Sequence, residues 1–207
     1  MDSIVQILTD KDHDHWPTKE VFTFKYNSNE VDVYEEGRYY PTSTKIYHYG
    51  FNSSGNLSKF LIYGKDRIGR DQTYYYDKLN KTIKVETIER RDDYENIKES
   101  IFYMNDSNNI DSTNEYRIRN QQRELYSKKV FKYDNKQNPY KNVLYYVVSE
   151  RFFNSNNCES FQFLDSNHDN KAHKESYKYD DKCRLLKDLD NEVYESDSIV
   201  TTFHYID

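Results

Sequence analysis

Ser176–Asp188 reads SYKYDDKCRLLKD, and the fold turns on whether this run is a reaction centre or one copy of a structural unit. Two tyrosines, paired aspartates and a cysteine this close together suit chemistry. The rest of the chain points the other way, because the run has relatives: Phe24-Lys-Tyr26-Asn27, Tyr47-His-Tyr49-Gly50, Tyr74-Tyr-Tyr76-Asp77, Phe131-Lys-Tyr133-Asp134, Phe161-Gln-Phe163 with Asp165 nearby, and Phe203-His-Tyr205 with Asp207 nearby. Ile101-Phe-Tyr103 with Asn105 is a looser copy. Aromatic, any residue, aromatic, then Asp, Asn or Gly recurs about every 26 residues, the length of a repeated supersecondary unit.

In each copy the two aromatics share one face of a strand, the residue between them points to the other face, and the Asp or Asn opens a turn. Return strands are expected at Leu57 to Tyr63 (LSKFLIY), Thr82 to Thr87 (TIKVET) and Val143 to Val148 (VLYYVV), all rich in strand-type residues. The spacing predicts an all-β chain, an antiparallel meander of about 14 to 16 strands built from repeated hairpins. So many strands must deal with their edges, by a closed or flattened barrel or, alternatively, a two-sheet sandwich or superhelical β-wrap. Residues 1–20 are expected to be a partly ordered leader, and 21–207 a single β-repeat domain.

Composition fits a folded chain of an unusual kind. With 35% hydrophobic and 32% charged residues the sequence approaches disorder, yet its 22 Tyr and 11 Phe are what disordered chains lack. A tyrosine ring is apolar with a polar tip, so Tyr and Phe can close a core where Leu and Val are few. The 36 acidic and 30 basic residues alternate along the chain, and without a basic stripe a nucleic-acid partner is disfavoured. No run of about 18 apolar residues offers a transmembrane helix. The N-terminus MDSIVQILTDKDHDHW has no basic region ahead of its short apolar patch and does not read as a signal peptide. The expected location is cytoplasmic as written, and exported or at the cell surface if the sequence is a trimmed mature chain. Cys158 and Cys183 are too few for a disulfide framework, and a monomer is expected.

Aromatic-x-Tyr-Asp-x-x-Gly-x-Leu resembles the signature of YD (Rhs-type) repeats, and the arrangement is similar to the YD-repeat-related domains of Bacteroidetes exported proteins. Ser54-Gly55-Asn56-Leu57 carries the Gly-x-Leu half, and Tyr179-Asp180-Asp181-Lys182-Cys183-Arg184-Leu185 the whole unit, with Cys183 in the glycine place. Asn80 and Asn138 stand near the turn position elsewhere, Asn being the other residue that tolerates positive φ. The resemblance implies a porin-like barrel and a cell-surface or periplasmic protein of unknown or binding function. A toxin-enclosing Rhs shell takes far more chain than 207 residues.

Candidate chemistry is sparse. Asp12-His13-Asp14-His15-Trp16 alternates carboxylates with imidazoles, a pattern that suits zinc, although a third ligand must come from elsewhere. Asp165, Asn167 and Asp169 are spaced like the start of a calcium loop, but Asn170 replaces the sharp-turn glycine and Ser176 the closing glutamate. A zinc or calcium ion is therefore a weak prospect, and no other cofactor is expected. Lys182 and Arg184 flank Cys183 in a turn, and no nucleophile elbow, phosphate loop or dinucleotide fingerprint occurs. Rings outside the motif, at Tyr39, Tyr40, Tyr75 and Tyr146, are candidates to stack on sugars or anchor a protein, against the plainer role of cross-strand pairing. The sequence reads as a non-catalytic binding protein that uses an exposed sheet face or a turn-lined rim. Its expected ligand is a glycan or cell-surface component; the alternatives are an immunity-type inhibitor that binds a toxin and a carboxylate-based hydrolase.

Overall fold

The computed structural model describes residues 2–9, 18–36, 42–64, 68–91, 94–142, 144, 150–164, 172–179, 185–190 and 199–202. Fourteen strands run in sequence: β1 (Asp2–Thr9), β2 (Thr18–Asn27), β3 (Glu30–Glu36), β4 (Thr44–Phe51), β5 (Leu57–Tyr63), β6 (Ile68–Asp77) and β7 (Thr82–Arg91). They continue as β8 (Tyr94–Met104), β9 (Ile110–Arg119), β10 (Gln122–Gln137), β11 (Asn156–Phe163), β12 (Ala172–Tyr179), β13 (Leu185–Asp190) and β14 (Ile199–Thr202). Each lies beside its neighbours in chain order. The predicted all-β meander is the architecture found, and β5 has the bounds expected of its return strand. Of Val143 to Val148, read as another return strand, only Leu144 is among the described residues, and it sits in a 3-10 turn. β1 lies within the segment read as a leader and pairs with β2 from Asp2↔Lys25 to Thr9↔Thr18.

Contacts divide the chain into two compact units, Met1–Tyr75 with Val85–Ile97, and Tyr76–Lys84 with Lys98–Asp207. In the first, alternation sets the core: Val31 and Val33 of β3 are buried while Asp32 and Tyr34 point away. A bulge follows, since Val33 faces Tyr47 and Tyr34 faces Lys45, leaving Ile46 without an opposite residue. Ile46 and Tyr49 are both buried as a result. Tyr49 stacks on Phe60 with centroids 5.0 Å apart, and Tyr47 lies 5.8 Å from Phe60. Burying a side chain of this size contributes about 1.5–3 kcal/mol, so these rings replace the aliphatic core that the composition lacks.

The β4–β5 and β8–β9 loops are copies of one design, Asn52-Ser-Ser-Gly-Asn56 and Asn105-Asp-Ser-Asn-Asn109. In the first, the Asn52 carboxamide oxygen accepts N–H bonds from Ser54 and Asn56, both at 3.0 Å; in the second, Asn105 accepts from Ser107 at 3.0 Å and Asn109 at 3.1 Å. The fourth residue is left-handed in each, Gly55 at φ 74° and Asn108 at φ 58°, conformations that Gly and Asn adopt at least cost. The residue that follows each loop, Leu57 or Ile110, is fully buried. Tyr179 pairs with Leu185 as Phe51 pairs with Leu57, so the opening stretch is a hairpin of the same register. Residues 180–184, Cys183 among them, lie outside the described residues.

Two motif copies need correction. Aligned on the loops, the aromatic pair before Asn52 is Tyr49 and Phe51, one strand period beyond Tyr47 and Tyr49. Phe161 lies opposite Phe131 and is the cross-strand partner of another copy, not a further unit. An aromatic spacing of two is the strand period itself, so any pair of same-face positions satisfies it.

Candidate functional site

Many charged side chains on the described strand faces are paired. In the first unit Asp32 pairs with Lys45 at 2.6 Å and His48 at 2.8 Å, and Lys59 with Asp71 at 2.5 Å. Burial alone would raise the Asp32 carboxyl, but bonds from Lys45 and His48 outweigh it and hold the group below its usual range. Cations cover tyrosine rings: Lys25 over Tyr34 at 4.3 Å and Lys45 over Tyr63 at 5.1 Å. In the second unit Arg117 and Arg123 lie 3.5 Å over Tyr126 and Tyr116. A ring face covered in this way is not open to a sugar.

Of the ring platforms read from sequence, only Tyr75 is among the described residues. It is 46% exposed, and its hydroxyl donates to Glu86 at 3.0 Å, which makes it one half of a cross-strand pair. Tyr39, Tyr40 and Tyr146 lie outside the described residues, as do Asp12, His13, Asp14, His15, Asp165, Asn167 and Asp169. Among the described residues no cluster of three His, Cys, Asp or Glu could hold a metal, and no helix is long and apolar enough to cross a membrane.

The feature that the meander does not require is the long connection between β10 and β11, closed at its base by Gln137↔Asn156. Its described part folds on itself. The Asn138 amide nitrogen donates to the carbonyls of Arg151 at 2.7 Å and Asn154 at 2.9 Å, and its oxygen accepts from Tyr140 N–H at 2.9 Å. The backbone N–H of Asn138 bonds to Ser155 O at 3.0 Å, and that of Asn142 to Phe152 O at 3.0 Å. The 3-10 turn Glu150–Phe152 lies within it, as does the one that holds Leu144.

A second set of bonds fixes this connection to the β8–β9 loop. The Asn109 side-chain oxygen accepts from Ser155 and Asn156 N–H, both at 2.8 Å, and its nitrogen donates to the Asn156 side-chain oxygen at 2.9 Å. Asn154 accepts from Ile110 N–H at 2.7 Å. Phe153 meets Phe102 at 5.6 Å between centroids. Asn109, Asn138, Asn154 and Asn157 are all buried. Buried amides bonded this extensively favour one conformation, so the described part of the connection is a fixed platform. Its exposed edge, among the described residues, is Asp106, Ser107, Asn108, Lys141 and Asn142.

Beneath the platform is a cavity of about 80 Å³, lined by Lys129, Glu150, Arg151, Asn154 and Cys158 between the rings of Phe131 and Phe161. It has room for a few waters and is far below the roughly 300 Å³ at which small-molecule sites begin. Lys129 is the charge that ties sheet to platform, 3.3 Å from Glu150 and 3.6 Å from Glu115. Burial alone would lower its ammonium; the two carboxylates outweigh burial and hold it above its usual range. Burial, with Cys158 and Glu150 beside it, pushes the Tyr133 phenol up, and its hydroxyl donates to Ile110 O at 2.6 Å. Cys158 is buried, and its thiol donates to Ser160 O at 3.5 Å.

Sequence reasoning placed Asn138 at a turn and missed the network. Its signal was present as Asn-x-x-x-Asn at 52/56 and again at 105/109, and as the run Asn154-Ser-Asn-Asn157.

The fold has solved counterparts. The structure is similar to a porin-like protein from Bacteroides vulgatus ATCC 8482, with a TM-score of 0.56 at 10% sequence identity, covering 95% of this chain and 94% of that one. A porin-like protein from Bacteroides uniformis ATCC 8492 is similar at a TM-score of 0.36 and 10% identity, covering 97% and 93% of the two chains. The first likeness shows the fold, the porin-like one that the sequence resemblance implied. No protein-family model matches the chain, and no curated protein matches it.

Proposed function

We propose that this chain is an exported, non-catalytic binding protein of the YD-repeat-related kind, and that its ligand is a surface glycan held at the platform edge. The observation that carries the reading is the asparagine network. A meander needs only tight turns, yet here the described part of a long connection is held by a buried polar network, the preorganisation that recognition uses. The described edge it presents is two amides, one hydroxyl and one amine, beside the Asp106 carboxylate, which is paired with Lys81. The Asn108 and Asn142 side-chain amides have no hydrogen-bond partner among the described residues, and such groups match the hydroxyls of a sugar.

Two further observations support this reading. Among the described carboxyls with a shifted pKa, Asp32, Asp77 and Asp106, every shift is downward, the opposite of what a general acid needs. The paired charges outside β3–β6 suit water, since Lys or Arg on a lipid-facing strand costs about 2–4 kcal/mol at mid-membrane. The likeness to porin-like proteins supports export. Affinity electrophoresis of the full chain through gels containing bacterial polysaccharides tests the reading. Retardation by a polysaccharide, relieved by Asn108→Ala with Asn142→Ala, is expected. Migration unaffected by any polysaccharide, with a stoichiometric protein partner recovered from lysate, would favour the inhibitor reading instead.

A further inference from the structure

The twin loops differ in one respect. In the β8–β9 loop the last residue, Asn109, grips another stretch of backbone: its oxygen takes the N–H groups of Ser155 and Asn156 at 2.8 Å, and its nitrogen reaches the Asn156 side chain at 2.9 Å. That uses two lone pairs and one N–H of a single carboxamide. Asn56 has the same place in the β4–β5 loop. Its N–H bonds to Asn52 Oδ1 at 3.0 Å, as that of Asn109 bonds to Asn105 Oδ1 at 3.1 Å. Its carbonyl accepts from Asn52 N–H at 2.9 Å, as that of Asn109 accepts from Asn105 N–H at 2.8 Å. The surroundings agree one step further, with Phe51 N–H bonded to Asn29 O and Met104 N–H to Lys81 O. Yet the Asn56 carboxamide has no hydrogen-bond partner among the described residues and is only half-buried, where Asn109 is buried by its guest.

We propose that Asn56 is a second copy of this clamp, and that the β4–β5 loop binds a bent segment of a partner polypeptide. The segment presents two successive backbone N–H groups and an asparagine side chain, as Ser155-Asn156 does. The chain's own occupied copy names the class of guest: main-chain amides, not hydroxyls. The loop is closed by its own bonds before a guest arrives, so little ordering opposes binding. Proline at the second guest position removes a donor. This site is distinct from the platform edge and does not depend on the glycan reading.

The test uses the full chain, labelled with nitrogen-15 and titrated with the synthetic peptide Phe-Phe-Asn-Ser-Asn-Asn, the sequence of Phe152–Asn157. Saturable shifts at Asn52–Leu57 are expected. Asn56→Ala, which removes no internal bond, should weaken them at least about tenfold, and a peptide with proline in place of the second asparagine should give none. The proposal is overturned if millimolar peptide leaves Asn52–Leu57 unmoved, if Asn56→Ala binds as well, or if the shifts are confined to Asn105–Asn109, where the peptide would be displacing the chain's own segment.

Discussion

Asn109→Ala removes three hydrogen bonds: it leaves the Asn156 N–H without its side-chain acceptor and the Ser155 N–H with only its 3.3 Å bond to Asn108 O. At about 1 kcal/mol for each of the three bonds lost, the cost is about 3 kcal/mol. Asn56→Ala is the control, the same substitution in the same loop geometry with no side-chain bond to lose, and should cost less than about 0.5 kcal/mol. Urea unfolding followed by circular dichroism reads the difference. With a slope of about 2–3 kcal/mol per molar, Asn109→Ala should lower the midpoint by about 1 M while Asn56→Ala leaves it in place. Hydrogen exchange localises the effect: Ser155, Asn156 and Ile110 amides should lose protection in the first variant alone. Equal costs for the two substitutions, or unchanged exchange at Ser155 and Asn156, would refute the claim that Asn109 holds the platform.

Lys129→Met keeps the buried stem but leaves Glu115 and Glu150 without their shared cation, and should cost about 2–4 kcal/mol in urea unfolding, below the full buried-pair penalty because both carboxylates reach water. Gly55→Ala should cost about 1 kcal/mol because φ there is 74°, whereas Gly55→Asn should cost less, since Asn108 occupies the equivalent place; the thermal midpoints of the two variants give the order. Burial pushes the Tyr76 phenol up to about 12, above its value in the unfolded chain. The stability it contributes is therefore fully present below about pH 10 and is lost as pH rises through about 12, about 1–2 kcal/mol after allowing for its exposure. Tyr133, shifted the same way, adds to that loss, and Tyr76→Phe should flatten the fall in denaturation midpoint between pH 10 and 12.

How far the fold can be read from the residues follows from what each signal reports. Val31/Val33 and Ile83/Val85/Thr87 alternate cleanly, and the strands they mark are where the period of two puts them. The loop signal was equally local: Gly55 and Asn108 each stand where the chain must turn left-handed, and the buried Leu57 and Ile110 follow them. Phase along a strand was not legible, because Tyr47, Tyr49 and Phe51 all satisfy the same spacing and only the bulges choose among them, at Ile46 and at Ser58, which is skipped between the pairs Gly50↔Lys59 and Phe51↔Leu57. The platform was illegible for another reason. Asn109 meets Ser155 and Asn156 across a long stretch of chain, and an asparagine that caps its own turn looks the same in sequence as one that clamps a distant segment. Cation–π cover, such as Arg117 on Tyr126, depends on cross-strand neighbours that composition does not name.

The most direct test of the binding account is to remove the platform and keep the fold. Asn138 N–H and Ser155 O are bonded at the base of the connection, so a two-residue Asn-Gly turn can replace Asn138–Ser155 and still close the β10–β11 hairpin. Retardation by polysaccharide should disappear in the shortened chain while its circular dichroism spectrum stays that of the β meander. Undiminished polysaccharide binding by a folded chain that lacks the platform would contradict the account.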